Sequence, residues 1–125
     1  MLHVSILIPE TAVMASVADP RYMFTAINGF MQQAGKLPVF NVQLVGTKRE
    51  ITLNDGLFTI HTDALLHEVT HTDLVILPAL SGDIQTALDL NKELLPWIID
   101  KYEKGAELAS LCIGAFLLAA TGLLR

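Results

Sequence analysis

The sequence has a single cysteine and few basic residues, and these two features argue against a disulfide-stabilised protein and against a DNA-binding surface. One cysteine forms no internal disulfide, and the opening MLHVSILIPE lacks the basic flank and cleavage site of a secretory signal. We therefore expect a reducing, cytoplasmic location. Eight Lys and Arg residues stand against thirteen Asp and Glu residues, which gives a net charge of -5. Because such a surface does not attract phosphates, this segment is not expected to bind DNA by itself.

Residues 108–124 carry no charge, so a membrane helix has to be considered. The run approaches the roughly 20 residues that a membrane-spanning helix needs. However, Gly105 before it is typical of a helix end, residues 106–111 resemble a short strand, and Gly114 falls inside the run. A strand, a turn and a helix divide the run more naturally, and we expect no membrane association.

The remaining apolar runs predict strands that alternate with helices. Strands are expected at residues 2–8, 39–45, 74–77 and 106–111, and a hairpin at 50–53 and 57–61 around Asn54-Asp55-Gly56. Helices are expected from a cap at Asp19 and Pro20 to Gly35, at 83–90, from near Asn91 (or slightly later, with Pro96 in the first turn) to Gly105, and at 114–122. This order predicts a three-layer, doubly wound, mostly parallel sheet with right-handed crossovers.

Cys112 lies between the last predicted strand and the last helix, with Gly114 two positions later. A turn of this kind lifts a side chain above the carboxyl edge of a parallel sheet, where ligands bind. The positive potential of the following helix favours the reactive thiolate. A buried cysteine that acts as a small hydrophobic residue fits the same spacing. Both interpretations stay open at this point.

Three stretches of the sequence, HVSILIPE, ALLHEVTHTDLVILPAL and WIIDKYEKGAELASLCIGAFLLAATGLL, together resemble the ThiJ/PfpI superfamily of class I glutamine amidotransferase-like domains. The resemblance covers nearly the whole chain and is strongest to the version fused to AraC-family transcriptional regulators, in which a CxGAFxLAxxGLL string follows the fifth strand. It implies a flavodoxin-like fold, Cys112 at the nucleophile elbow, a homodimer, and DNA binding through a C-terminal helix-turn-helix domain outside this chain. Residues 1–125 would then be a domain that is incomplete at its C-terminus.

The sequence departs from the enzymatic members of that superfamily at three places. Their acidic residue lies four positions before a proline, and here Ser16 lies four positions before Pro20. Their Gly-Gly pair after the fourth-strand proline supplies an oxyanion-binding N–H, and here Ala79 and Leu80 follow Pro78. The histidine of many members, in a Thr-His setting, would lie beyond the end of the sequence. These departures argue against catalysis.

The resemblance therefore favours a non-enzymatic domain that senses a small-molecule effector or dimerises. The effector would lie near Cys112, Ile113, Ala79, Leu80 and Ser16, and no cofactor is expected. One alternative is a stand-alone ThiJ/PfpI-type cysteine-dependent hydrolase, hydratase or glyoxalase. Another is a structural dimerisation module that binds no ligand.

The segment His67-Glu68-Val69-Thr70-His71 matches the HExxH pattern, which on a helix presents two imidazoles to zinc. The match lies between the predicted hairpin and the strand at residues 74–77, which leaves room for barely two helical turns. Thr70 and Thr72 are indifferent helix formers. We therefore expect an exposed connection and no metal site here.

The last predicted helix, residues 114–122, is apolar on nearly every side. A helix of this kind has to be covered all round. We therefore expect either a longer chain or a symmetry-related partner to cover it, because large exposed apolar patches usually mark interfaces.

Overall fold

A computed structural model describes residues 1–111 and 114–123 and shows, over those ranges, a five-stranded parallel sheet. The strands within these ranges are β1 (Leu2–Leu7), β2 (Phe40–Gly46), β3 (Glu50–Leu53), β4 (Phe58–His61), β5 (Ala64–Leu65), β6 (Leu74–Leu77) and β7 (Glu107–Ser110). The sheet has the order β5-β2-β1-β6-β7, and β3 pairs with β4 as a separate antiparallel hairpin. The predicted parallel sheet is confirmed, with β6 between β1 and β7.

Helices lie on both faces of the sheet. They are α1 (Met14–Gln33), α2 (Ile84–Leu90), α3 (Leu94–Glu103) and α4 (Gly114–Ala120). Alternate residues of β1 point to opposite layers, because successive strand side chains alternate between the two faces. Ile6 joins a buried cluster with residues of α1 and of the hairpin, whereas Leu7 joins a cluster with residues of α2, α3 and α4. The three-layer arrangement is therefore confirmed.

The predicted start of the first helix, at Asp19 and Pro20, is wrong. The helix begins at Met14, and Pro20 lies inside it. Val17, in the earlier part of the helix, is buried against the sheet, and Val13 just before it donates its N–H to Ala79 O at 2.8 Å. The burial of Val17 and the hydrogen bond of Val13 favour a helix that starts before Pro20. This start has a cost, because proline has no N–H and cannot donate a hydrogen bond to the Ser16 carbonyl one turn earlier.

The other boundaries follow the sequence closely. Pro96 is the third residue of α3, so the later of the two predicted starts is right. The Asn54-Asp55-Gly56 turn joins β3 and β4 as expected, with positive φ at all three residues. No pattern in the sequence indicates β5, which is two residues long and pairs with Val45 and Gly46 of β2. A strand that short has no periodicity to detect.

The HExxH segment forms one 3-10 turn, Leu66–Glu68, followed by an extended connection. His67 and His71 therefore do not share a helix. Helix α3 fixes this connection, because Trp97 donates its indole N–H to Leu66 O at 2.9 Å and the buried Lys101 ammonium donates to Val69 O at 2.8 Å. The segment is held as a structural link between β5 and β6.

Helix α4 packs its Gly114, Leu117 and Leu118 side against the core, while Phe116 is half exposed. That a longer chain or a symmetry-related partner covers the exposed side of α4 stays a prediction. None of the helices in residues 1–111 and 114–123 combines the length and the hydrophobicity that spanning a bilayer requires.

Candidate functional site

Two loops meet at the carboxyl edge of the sheet, where ligands bind in open α/β folds. The loop after β1 and the loop after β6 form an antiparallel bridge between Ala12 and Leu80. Two hydrogen bonds flank it: Val13 N donates to Ala79 O at 2.8 Å, and Ser81 N donates to Thr11 O at 2.7 Å. The bridge buries Ala79 and Leu80, the second to 1% exposure. The two loops are therefore joined to each other at this edge.

Ser16 lies next to this bridge, in the first turn of α1. Its Oγ accepts a hydrogen bond from Ala79 N at 2.8 Å. The structure thus brings together Ser16, Ala79 and Leu80, which the sequence had grouped only through the family resemblance. Neither Ala79 nor Leu80 has a positive φ, so the two side chains cause no backbone strain here. The Leu80 N–H donates to no described residue.

We expect Ser16→Ala to lower the free energy of unfolding by about 1 to 2 kcal/mol, because the partly buried Ala79 N–H loses its acceptor. Ser16→Thr keeps a hydroxyl and is expected to lose less. Urea unfolding followed by circular dichroism compares the two variants with the wild type. Equal stability of Ser16→Ala and wild type would show that water replaces the hydroxyl without cost.

The start of α4 approaches the carboxyl end of β6 very closely. Leu111 N donates to Leu77 O at 2.9 Å, and Gly114 N donates back to Leu111 O at 2.8 Å. A Cβ placed on Gly114 would lie 2.6 Å from Leu77 O and 2.5 Å from Pro78 O. The end of β6, Leu111 and the start of α4 are therefore in contact through backbone atoms. Cys112 and Ile113 lie outside the described residues, so their predicted place in the site stays a prediction.

A cavity of about 530 Å³ opens beside the loop bridge. It lies between the loop after β1, Ser81 of the loop after β6, and the tip of the β3–β4 hairpin. The lining residues are Glu10, Thr11, Val13, Thr52, Leu53, Asn54, Asp55, Gly56 and Ser81. Ser16, Ala79 and Leu80 do not line it. Sequence reasoning missed this cavity, since it identified Asn54-Asp55-Gly56 only as a turn and gave Thr11 no role.

Thr11 has an unusual conformation for a β-branched residue, with φ of 68°. Ser81 holds it there, because both its backbone N–H and its hydroxyl donate to Thr11 O, at 2.7 and 2.9 Å. The Thr11 Oγ1 is buried and has no hydrogen-bond partner among the described residues. No glycine or asparagine marks this position in the sequence, so its left-handed backbone could not be predicted.

Glu10 is the acidic residue of the loop after β1. Its Oε1 accepts from Lys48 Nζ at 2.9 Å, and this hydrogen bond raises the pKa of Lys48. Asn91, which is 2% exposed, fixes the Glu10 backbone by accepting from its N–H at 2.7 Å and donating to its carbonyl at 2.9 Å. The cavity wall at Glu10 is therefore anchored to the turn between α2 and α3.

No protein-family model and no curated protein matches the sequence. Solved structures do match the fold. A candidate transcriptional regulator from Vibrio parahaemolyticus superposes with a TM-score of 0.80 at 24% identity, over 98% of this chain and 62% of that one. A ThiJ/PfpI family protein from Pseudomonas syringae gives 0.79 at 18% identity, over 99% of this chain and 47% of that one.

A DJ-1 superfamily protein from Agrobacterium tumefaciens gives a TM-score of 0.73 at 13% identity, over 98% of this chain and 60% of that one. The chain thus spans less than two thirds of the length of each of these three chains. The agreement extends over nearly every residue of this chain, through a parallel sheet and helices in the same arrangement. The chain therefore has the fold of the DJ-1/ThiJ/PfpI proteins.

Proposed function

We propose that the chain is a non-enzymatic ligand-sensing or dimerisation domain of an AraC-family transcriptional regulator. The regulator would be cytoplasmic and homodimeric, and its DNA-binding helix-turn-helix domain would lie outside these residues. The superposition on a candidate transcriptional regulator supports this proposal. The observation that carries the non-enzymatic part is the hydrogen bond from Ala79 N to Ser16 Oγ.

That hydrogen bond matters because Ser16 has the position at which the family resemblance expects an acid. A serine hydroxyl does not ionise near neutral pH as a carboxyl group does, so it is a poor general acid or base, and here it accepts a hydrogen bond from a loop N–H. A positioned acid or base contributes about 100-fold or more to catalysis. Without it, we expect a thiol at Cys112 to turn over substrate at close to the background rate.

The test compares the wild type with Cys112→Ala in glyoxalase, esterase and isonitrile hydratase assays. We expect no turnover that depends on Cys112, because Ser16 supplies no proton for it. Circular dichroism of both proteins checks that they are equally folded. Turnover that Cys112→Ala abolishes would favour the alternative, a stand-alone ThiJ/PfpI-type hydrolase, hydratase or glyoxalase.

The regulatory part of the proposal has its own test, which is the gene sequence past codon 125. A basic pair of helix-turn-helix motifs there is the expected result. A Thr-His segment followed by a stop codon would contradict it and favour the enzyme.

A further inference from the structure

We infer that a groove between α1 and β4, the α1–β4 groove, binds an amino acid with a large apolar side chain. The groove has a volume of about 500 Å³, and none of its lining residues lines the cavity at the loop after β1. The inference rests on the proposed ligand-sensing role, because it gives the effector a place and a chemical class. It requires nothing of Cys112.

The floor of the α1–β4 groove is apolar. It is formed by side chains from three elements, namely Met14 and Val17 of α1, Leu44 of β2 and Ile60 of β4. Val17 and Ile60 belong to the core cluster beneath α1. Met14 and Leu44 pack against that cluster but are only partly buried, so some of their surface stays exposed in the groove. An apolar group that covers this surface removes it from water, which favours binding.

Two exposed side chains of opposite charge line the same groove, Arg21 of α1 and Asp63 just after β4. Arg21 forms no ion pair with any residue that the structure describes. Asp63 is held in place by Leu44, whose N–H donates to Asp63 Oδ2 at 2.8 Å and whose carbonyl accepts from Asp63 N at 2.8 Å. His61 also lines the groove, but its Nδ1 lies 3.5 Å from Glu50 Oε1, so its charge when protonated is already matched.

This combination of charges and apolar floor selects the class of ligand. A guanidinium binds a carboxylate through paired N–H donors, and a carboxylate accepts hydrogen bonds from an ammonium group. Arg21 and Asp63 line one groove without pairing with each other, so a molecule that carries both charges fits between them. Its apolar side chain would cover the floor, and Tyr22, which is 75% exposed, adds an aromatic surface at the rim. The volume is within the range of about 300 to 1,000 Å³ found for small-molecule sites.

Isothermal titration calorimetry of the full chain tests this inference with four probes. Phenylalanine carries all three recognised groups, 3-phenylpropionate lacks the ammonium group, phenethylamine lacks the carboxylate, and glycine lacks the apolar side chain. We expect phenylalanine to bind and each of the other three to bind about tenfold more weakly or worse, because each loses one set of contacts. Equal binding of phenylalanine and any one of the other probes would overturn the proposed class of ligand.

Two variants assign the charges of the ligand to the charges of the groove. Arg21→Gln should weaken phenylalanine binding by about tenfold and leave phenethylamine binding unchanged, whereas Asp63→Asn should weaken phenylalanine binding and leave 3-phenylpropionate binding unchanged. The matched controls are Arg49→Gln and Asp55→Asn, which remove the same charges from residues that do not line the groove. The Tm of each unliganded variant checks its folding. An equal loss of binding in the controls would overturn the inference, because it would show an effect of net charge alone.

The outcomes also separate this site from the regulatory proposal. If no probe binds, the groove inference fails, whereas a helix-turn-helix domain encoded past codon 125 would still support a regulator. If phenylalanine binds through Arg21 and Asp63 and the gene encodes no such domain, the groove stands and the regulator fails. Gel filtration adds a further check: if Arg21→Gln changes the oligomeric state and no probe binds, the groove is a protein interface and the inference is overturned.

Discussion

Replacing Gly114 with alanine is expected to lower the free energy of unfolding by about 3 kcal/mol. A Cβ there would lie 2.6 Å from Leu77 O and 2.5 Å from Pro78 O. Both contacts are with backbone oxygens, which cannot rotate away as a flexible side chain can. The first turn of α4 would therefore have to move away from the end of β6, and the core contacts of Leu117 and Leu118 would loosen with it.

Gly29→Ala is the matched control for this substitution. Gly29 lies inside α1, and a Cβ placed on it would meet nothing within 4 Å. Alanine has the higher helix propensity, so this variant should be more stable than the wild type by about 0.5 to 1 kcal/mol. Urea unfolding measures both variants. Similar stability changes for the two would mean that the close approach at Gly114 does not exist in solution.

The sequence indicated Gly114 as part of the turn after the last strand, but not why it must be glycine. The reason is the distance between two backbones, and no local pattern encodes that distance. The strands were predicted well for a simple reason, since buried parallel strands are short, nearly uncharged apolar runs. β1 and β6 are clear examples, each halted by a proline soon after its last residue.

The start of α1 was predicted wrongly because Pro20 has two compatible positions. Proline favours the first turn of a helix, yet α1 tolerates it in its interior, since Val17 and Phe24 on either side of it are buried against the sheet. Tertiary packing decides whether Pro20 lies in the first turn or in the interior of the helix. Such packing cannot be predicted from the local sequence pattern alone.

The only residues of the candidate site that could be predicted were those to which the family resemblance assigns a position. It singled out Ser16, Ala79 and Leu80, and the structure places these residues in contact or beside one another. Thr11 was not predictable, because its φ of 68° is imposed by Ser81, seventy positions further along the chain. A cavity between two loops and a hairpin tip likewise depends on how separate elements pack. Neither feature has a local signature.

Asn91→Ala is the second substitution for which we expect a large effect, a loss of about 2 to 4 kcal/mol of unfolding free energy. The Asn91 amide makes three hydrogen bonds: it accepts from Glu10 N at 2.7 Å, and it donates to Glu10 O at 2.9 Å and to Ala87 O at 2.7 Å. The residue is 2% exposed. Alanine would leave backbone groups without partners where water has little access, and that penalty is larger than the loss of an exposed hydrogen bond.

Asn28→Ala is the comparison, because the Asn28 amide also makes three hydrogen bonds to backbone groups, two from Val39 N and Phe40 N and one to Phe40 O. Asn28 is only partly buried, so water can replace the lost partners and the expected loss is about 1 kcal/mol. Hydrogen exchange adds a local readout. The Glu10 amide should exchange faster in Asn91→Ala and remain unchanged in Asn28→Ala. If Glu10 stays protected in Asn91→Ala, or if both variants lose the same stability, Asn91 does not anchor the loop after β1.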